Sequence, residues 1–441
     1  MNILNNITLE SNKQIRFNFE GGDLSSDAGL LLIKEFAHKI GFNKIIKQQF
    51  KTNDSALFRH HTDSDNLLQM LFQIYGAYFT DDCADELTND PVMTAILDKP
   101  NLASQPTISR FFNRMDENTL KQFDAINKQL RKVVYSMDKP EMILFDIDST
   151  LLNTYGNQED EAFNYHYQAH GYHPLVCYDG LTGDLLKINI RNGKDYSSTG
   201  VEDFMQPLFD EFLNDYPDVK LFLRGDSGFA TPGLYEQCET NGTSYVIRLK
   251  NNSTLKKLSE HLDDELNDLT KDNAIDYAVV YGEFTYQATT WKQPRRVVCK
   301  VEKPDGQMVH MHTFIVTNMD LNPEQAITLY CNRGRMENYI KEGKSGFDFA
   351  AVSSSTKVVN ANRVQLHALA YNLFNLFRRL VLPESMSSQL IDTIRLKVLK
   401  VAAKIVHSAR YIYFKLSSSC PYKDIFYQTI TNISKLTPKL E

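Results

Sequence analysis

The chain has 441 residues, 42% of them apolar, and a formal net charge of −7. That length suggests two to four domains with a sizeable buried core, and six scattered cysteines without a C-x-x-C pair argue against a structural zinc site or a disulfide scaffold. No apolar run reaches membrane-spanning length and the N-terminus lacks a signal-peptide layout, so a soluble protein of the reducing cytoplasm, with no membrane partner, is expected.

Residues 1–138 read as a leading strand or arm, IRFNF (15–19), followed mainly by helices, including amphipathic stretches at 21–42 and 65–79. SQPTISRFFNRM (104–115) starts on Ser104 and Pro106, turns Ile108, Phe111 and Phe112 inward, and offers Arg110 and Arg114 four residues apart. Beside the helix at MTAIL (93–97), this segment is a candidate to enter a DNA groove, with a plain helical corner as the alternative.

MILFDID (142–148) is an apolar, strand-forming run that ends in Asp146 and Asp148, which share a face because strand side chains alternate. Strand-like HPLVCYD (173–179) and DLLKINI (184–190) follow, and then an amphipathic helix over 201–216. VKLFLRGD (219–226) ends in Asp226, before a helix near 234–238 and a strand at 244–250. An aspartate after a strand is ordinarily a turn or cap residue. The order β-β-β-α-β-α-β, then α, is nevertheless that of an α/β, ribonuclease H-like fold, in which the first and fourth strands are neighbours. That order would bring Asp148 and Asp226 together.

Residues 251–320 read as β-rich, with strand-like segments at 274–290, 295–302 and 309–318, and contain the only tryptophan, Trp291, beside Lys292, Arg295 and Arg296. In YCNRGRMENYIKEGK (330–344), Tyr330, Arg333, Glu337 and Lys344 stand at offsets of three, seven and fourteen, which one helix would place on one face. A carboxylate among a guanidinium, an ammonium and a phenol suits a metal ligand flanked by phosphate contacts. Three hard oxygen donors, Asp148, Asp226 and Glu337, suit Mg²⁺ or Mn²⁺. Beyond Thr356 the pattern reads as helix at 358–380 and again at 394–416. From Leu380 onward nine Lys or Arg face four acids, a net of +5, so the acidic excess lies elsewhere and the tail can meet DNA or a second subunit.

The spacing Y-(2)-R-(3)-E-(6)-K, filled by Tyr330, Arg333, Glu337 and Lys344, resembles the signature of a large branch of bacterial insertion-sequence DDE transposases. DST (148–150) and GDSGFA (225–230) resemble that branch's first and second aspartate motifs, and LASQPTISRFFNRMD (102–116) is similar to a stretch of one subgroup. The resemblance implies a ribonuclease H-like core (139–250 and 321–380) interrupted by a β-rich insertion (251–320), between a helical end-recognition region (1–138) and a basic helical region (381–441). It implies catalysis by Asp148, Asp226 and Glu337 holding two Mg²⁺ ions, with Mn²⁺ able to substitute. Arg110, Arg114, Tyr330, Arg333 and Lys344 would contact DNA, and Trp291 would take the role of the aromatic that stabilises a flipped base in related insertions. Partners would be the double-stranded terminal inverted repeats and target DNA, bound by a synaptic homodimer in a bacterial, nucleoid-associated setting, with cut-and-paste transposition through a hairpin intermediate.

Two rivals stand. ILFDIDSTLL (143–152) also resembles the motif of haloacid-dehalogenase-like phosphatases, with Asp146 as nucleophile and Asp148 as general acid. An inactive DNA-binding descendant would need a lost acid, and all three acids are present.

Overall fold

The computed structural model describes residues 7–271, 277–304, 307 and 309–440. It divides into two units, one formed by 138–345 and 349–368 and the other by 1–137, 346–348 and 369–441. The first unit is built on a mixed eight-stranded sheet. Its strands are β1 (Met142–Ser149), β2 (Leu175–Asp179), β3 (Leu185–Asn189), β4 (Lys220–Gly225), β5 (Ser244–Leu249), β6 (Ala278–Tyr286), β7 (Arg295–Lys303) and β8 (Met311–Thr317). The spatial order is β6-β7-β8-β5-β4-β1-β2-β3. Residues 274–276 of the expected strand at 274–290 lie outside the described residues.

β1 is central, parallel to β4 and antiparallel to β2, which fits its nearly unbroken apolar sequence: Ile143, Leu144, Phe145 and Ile147 are all buried. The helix Val201–Asp215 covers this part of the sheet, with Phe209 and Phe212 edge-on to Phe145 at 5.6 and 5.4 Å between ring centres. The strands within 251–320 extend the same sheet, because β8 pairs antiparallel with β5.

The segment 330–344 departs from the expected single helix. One helix, Pro323–Cys331, ends before Arg333 and a second, Gly334–Phe347, begins after it. Asn332 and Gly334 are weak helix formers. The break is closed by tight three-residue bonds, from Arg333 N–H to the Tyr330 carbonyl (3.0 Å) and from Met336 N–H to the Arg333 carbonyl (2.9 Å). Tyr330 therefore stands on a different helix from Glu337 and Lys344.

In the second unit, the helix Asp63–Tyr75 is buried from Asn66 to its end and starts on a reciprocal cap between Thr62 and Asp65. Its last carbonyls, Ile74 and Tyr75, accept from the buried Arg395 guanidinium. A second correction falls at 394–416, where a short helical stretch ends at Leu399 and an antiparallel hairpin follows, Ala403–Ser408 with Tyr411–Leu416. Alternating burial in AKIVHS and β-branched or aromatic residues in YIYFKL favour strands over the expected helix.

Candidate active site

Asp148 and Asp226 emerge from adjacent parallel strands. The register pairs Gly225 with Ile147, so the next residue on each strand is one of the two aspartates. Asp226 then caps a short turn at Ser227–Phe229, its carboxylate accepting from Gly228 N–H at 2.8 Å. Both aspartates line one open cavity of about 460 Å³, together with Lys194, Lys250, Tyr196 and His166. Burial pushes the Asp148 carboxyl up to about 6, and the like charge of Asp226 adds to this while Arg333 opposes it.

Arg333 lies half-buried, with Nη2 2.8 Å from Asp148 Oδ2 and 3.3 Å from the Ile147 carbonyl. Lys344 donates to the Leu151 carbonyl at 2.7 Å, and burial lowers its pKa. Tyr330 is half-buried against a small apolar cluster with Val246, Ile315 and Ile327. The stripe is thus less solvent-facing than a phosphate-gripping surface would be. Glu337 is the exception, exposed in the first turn of its helix. The helix faces inward through Met336 and Tyr339, whose ring lies 5.7 Å from that of Tyr178.

The structure brings Asp148 and Asp226 together but does not add Glu337 to them. Among the described residues, no group of three or more His, Cys, Asp or Glu side chains is arranged to hold a metal ion. The donor set still fits in part: two carboxylate oxygen donors that repel one another suit a hard divalent cation such as Mg²⁺ or Mn²⁺.

Asp146 overturns the phosphatase expectation. It is 0% exposed and held by two bonds from the Arg224 guanidinium, Nε to Oδ1 at 2.6 Å and Nη2 to Oδ2 at 2.5 Å. The third arm of Arg224 reaches the Leu329 carbonyl near the end of the Pro323–Cys331 helix, fixing the approach to Arg333. A carboxylate so enclosed cannot attack a substrate.

Two further side chains shape the site, Arg224 and Arg191, and neither stands among the residues expected from the sequence. Buried Arg191 donates to the carbonyls of His173, Tyr196, Ser197 and Thr199, and so shapes the loop that walls the cavity. Burial lowers its pKa to about 10. Arg224 had a sequence signal: it precedes Asp226 by two, as Asp146 precedes Asp148, and both interrupt apolar runs. Arg191 had none.

The remaining candidates divide. Arg110 is exposed. Arg114 is drawn into ion pairs with Asp54 and Asp63 at 3.3 and 3.0 Å. Trp291, expected to meet a base, is 7% exposed, with Tyr235 and Tyr286 both edge-on at 5.3 Å. Its basic neighbours are also engaged, Lys292 with Glu236, Arg295 with Glu239 and Arg296 with Glu283. Among the described residues no helix is long and apolar enough to cross a membrane.

The family described as "Transposase DDE domain group 1" matches residues 7–438. No curated protein matches the chain. Among solved structures the chain is similar to one described as the "piggyBac transposase synaptic complex with hairpin DNA", at 13% identity over 85% of this chain and 80% of that one, with a TM-score of 0.39.

Proposed function

The chain belongs to the DDE transposases of domain group 1, and from that premise we propose that it cuts the ends of its own insertion sequence and joins them to target DNA. The observation that carries this reading is the strand register that sets Asp226 beside Asp148 at the mouth of a cavity holding Lys194 and Lys250. Asp148 and Asp226 would hold the divalent cation, Mg²⁺ or Mn²⁺, with Glu337 as the third carboxylate of the set. Lys344 supports that role for Glu337: seven residues further along the same helical stripe, it bonds to Leu151, three residues past Asp148. A bound Mg²⁺ would supply charge neutralisation at the reacting phosphate and activation of the attacking oxygen.

The chain's own part is positioning. Arg333 leaves Asp148 for a phosphate oxygen, Lys194 and Lys250 neutralise the strand entering the cavity, and Tyr330 donates its hydroxyl to a neighbouring phosphate. Residues 1–138 read the terminal inverted repeats, with exposed Arg110 among the contacts. The ribonuclease H-like reading of the core is favoured by the β3-β2-β1-β4-β5 portion of the sheet order. Cut-and-paste movement through a hairpin end, a synaptic homodimer and a bacterial, nucleoid-associated setting complete the proposal.

The test uses the purified full chain and duplex DNA bearing the short inverted repeats that flank its gene. Asp148→Asn, Asp226→Asn and Glu337→Gln should each abolish Mg²⁺-dependent cleavage while end binding stays within a few-fold, because recognition surfaces remain. Vigorous cleavage by Asp226→Asn would sink the assignment.

A further inference from the structure

Between Asp392 and Asp424 the chain carries seven Lys or Arg and no acid, in a protein whose net charge is −7. Two of the seven serve the fold: Arg395 holds helix-end carbonyls, and Lys400 pairs with Asp27 at 2.6 Å. Three others lie on the hairpin Ala403–Ser408 with Tyr411–Leu416. Lys404, Arg410 and Lys415 are all exposed, and none forms an ion pair among the described residues.

The register sorts the hairpin into two faces. Ala403 pairs with Leu416 and Ile405 with Phe414 on the inner face, where Ala403 and Ile405 are buried. Lys404 pairs with Lys415, Val406 with Tyr413 and Ser408 with Tyr411 on the outer face. Tyr411 and Tyr413 are 65% and 48% exposed, with ring centres 6.0 Å apart. Two ammonium groups directly across a strand pair repel each other, which costs the free hairpin stability that a polyanion would restore.

We infer that the outer face of this hairpin is a sequence-independent contact for the phosphate backbone of duplex DNA. From Lys415 to Tyr411 the strand advances about 14 Å at ~3.4 Å per residue, with Arg410 in the turn just beyond, so the cations span roughly half a helical turn of duplex. The lysines and the arginine neutralise phosphates along that span, and the tyrosine hydroxyls donate to phosphate oxygens between them. A second copy of the chain is the poorer occupant, because a face carrying three exposed cations would meet the same three cations of its copy.

The experiment measures binding of the full chain to a fluorescent 30-base-pair duplex of random sequence across a KCl series. Lys404→Ala/Arg410→Ala/Lys415→Ala should weaken binding at least about tenfold near 100 mM salt and reduce the slope of log K against log salt by about 2–3, since each lost phosphate contact removes ~0.9. Lys404→Arg/Arg410→Lys/Lys415→Arg should keep the wild-type slope, which guards against a triple variant that merely misfolds. Binding is measured without Mg²⁺, where no cleavage occurs, so a failed cleavage assignment leaves this measurement standing. Equal affinity and slope for the alanine triple and wild type would overturn the inference, as would absence of duplex binding by wild type. So would a triple that binds DNA normally but changes mass by light scattering, or one that loses only its co-sedimentation with phosphatidylserine vesicles.

Discussion

Replacing Asp146 by Asn separates a structural carboxylate from a catalytic one. The carboxylate is fully buried and receives two bonds from Arg224, so the amide would leave a buried guanidinium facing a neutral group with one acceptor fewer. Removing one partner of a buried ion pair costs about 3–5 kcal/mol. At roughly 2–4 °C per kcal/mol for a unit of this size, the melting temperature should fall on the order of 10 °C. The double change Asp146→Leu/Arg224→Met should recover much of that loss, because a well-packed apolar pair avoids the desolvation of two charges. The assay is thermal unfolding followed by circular dichroism, with end cleavage measured well below the transition, where cleavage should largely survive. A melting temperature within about 1 °C of wild type, or folded Asp146→Asn protein without activity, would refute a structural role.

Other consequences follow from the same geometry. Asp179 is buried and burial pushes its carboxyl up to about 6, with Asp184 adding to the rise. Because the folded value exceeds the unfolded one, the native state loses stability as pH climbs from about 4 to 6. Asp179→Asn should therefore exceed wild type in stability by on the order of 1–3 kcal/mol at pH 7–8, with the gain vanishing below about pH 4; melts across pH that show the reverse trend would contradict this. Trp291→Ala should cost about 3–5 kcal/mol, since it empties a buried aromatic cluster; unchanged melting with weakened DNA binding would instead return Trp291 to a base-stacking role. Gly193→Ala would set a Cβ 2.1 Å from the Gly171 carbonyl oxygen and 2.4 Å from that of Ala162. The backbone must move, so we expect ~1–3 kcal/mol of lost stability and cleavage reduced further than melting explains, because Lys194 and Tyr196 line the cavity; normal cleavage would show that the loop's position is not critical.

The core strands were legible because apolar runs of strand length have few other uses: 142–148, 219–226 and 244–250 all became neighbouring strands in the central sheet. Asp148 and Asp226 could be paired in advance because each ends such a run. Their alignment was decided by the parallel register, which depends on contacts between segments about 80 residues apart. The same register made Asp146 and Arg224 partners, turning what looks like a catalytic motif in one segment into a buried ion pair.

Local periodicity failed where tertiary context outweighed it. A stripe of Tyr330, Arg333, Glu337 and Lys344 fits one helix on paper, yet Asn332 and Gly334 weaken the helix where Arg333 turns to meet Asp148. The hairpin at 403–416 was hidden by a charge pattern equally compatible with a helix, until burial of Ala403 and Ile405 fixed the alternation. Trp291 shows the same limit: sequence supplied an aromatic among cations, and packing against Tyr235 and Tyr286 decided that it faces inward. What the sequence determined by itself was which residue types the chain carries, and in what order along its strands. Which of them share a space was decided by strand register and side-chain packing, because those energies arise only between segments distant in the chain.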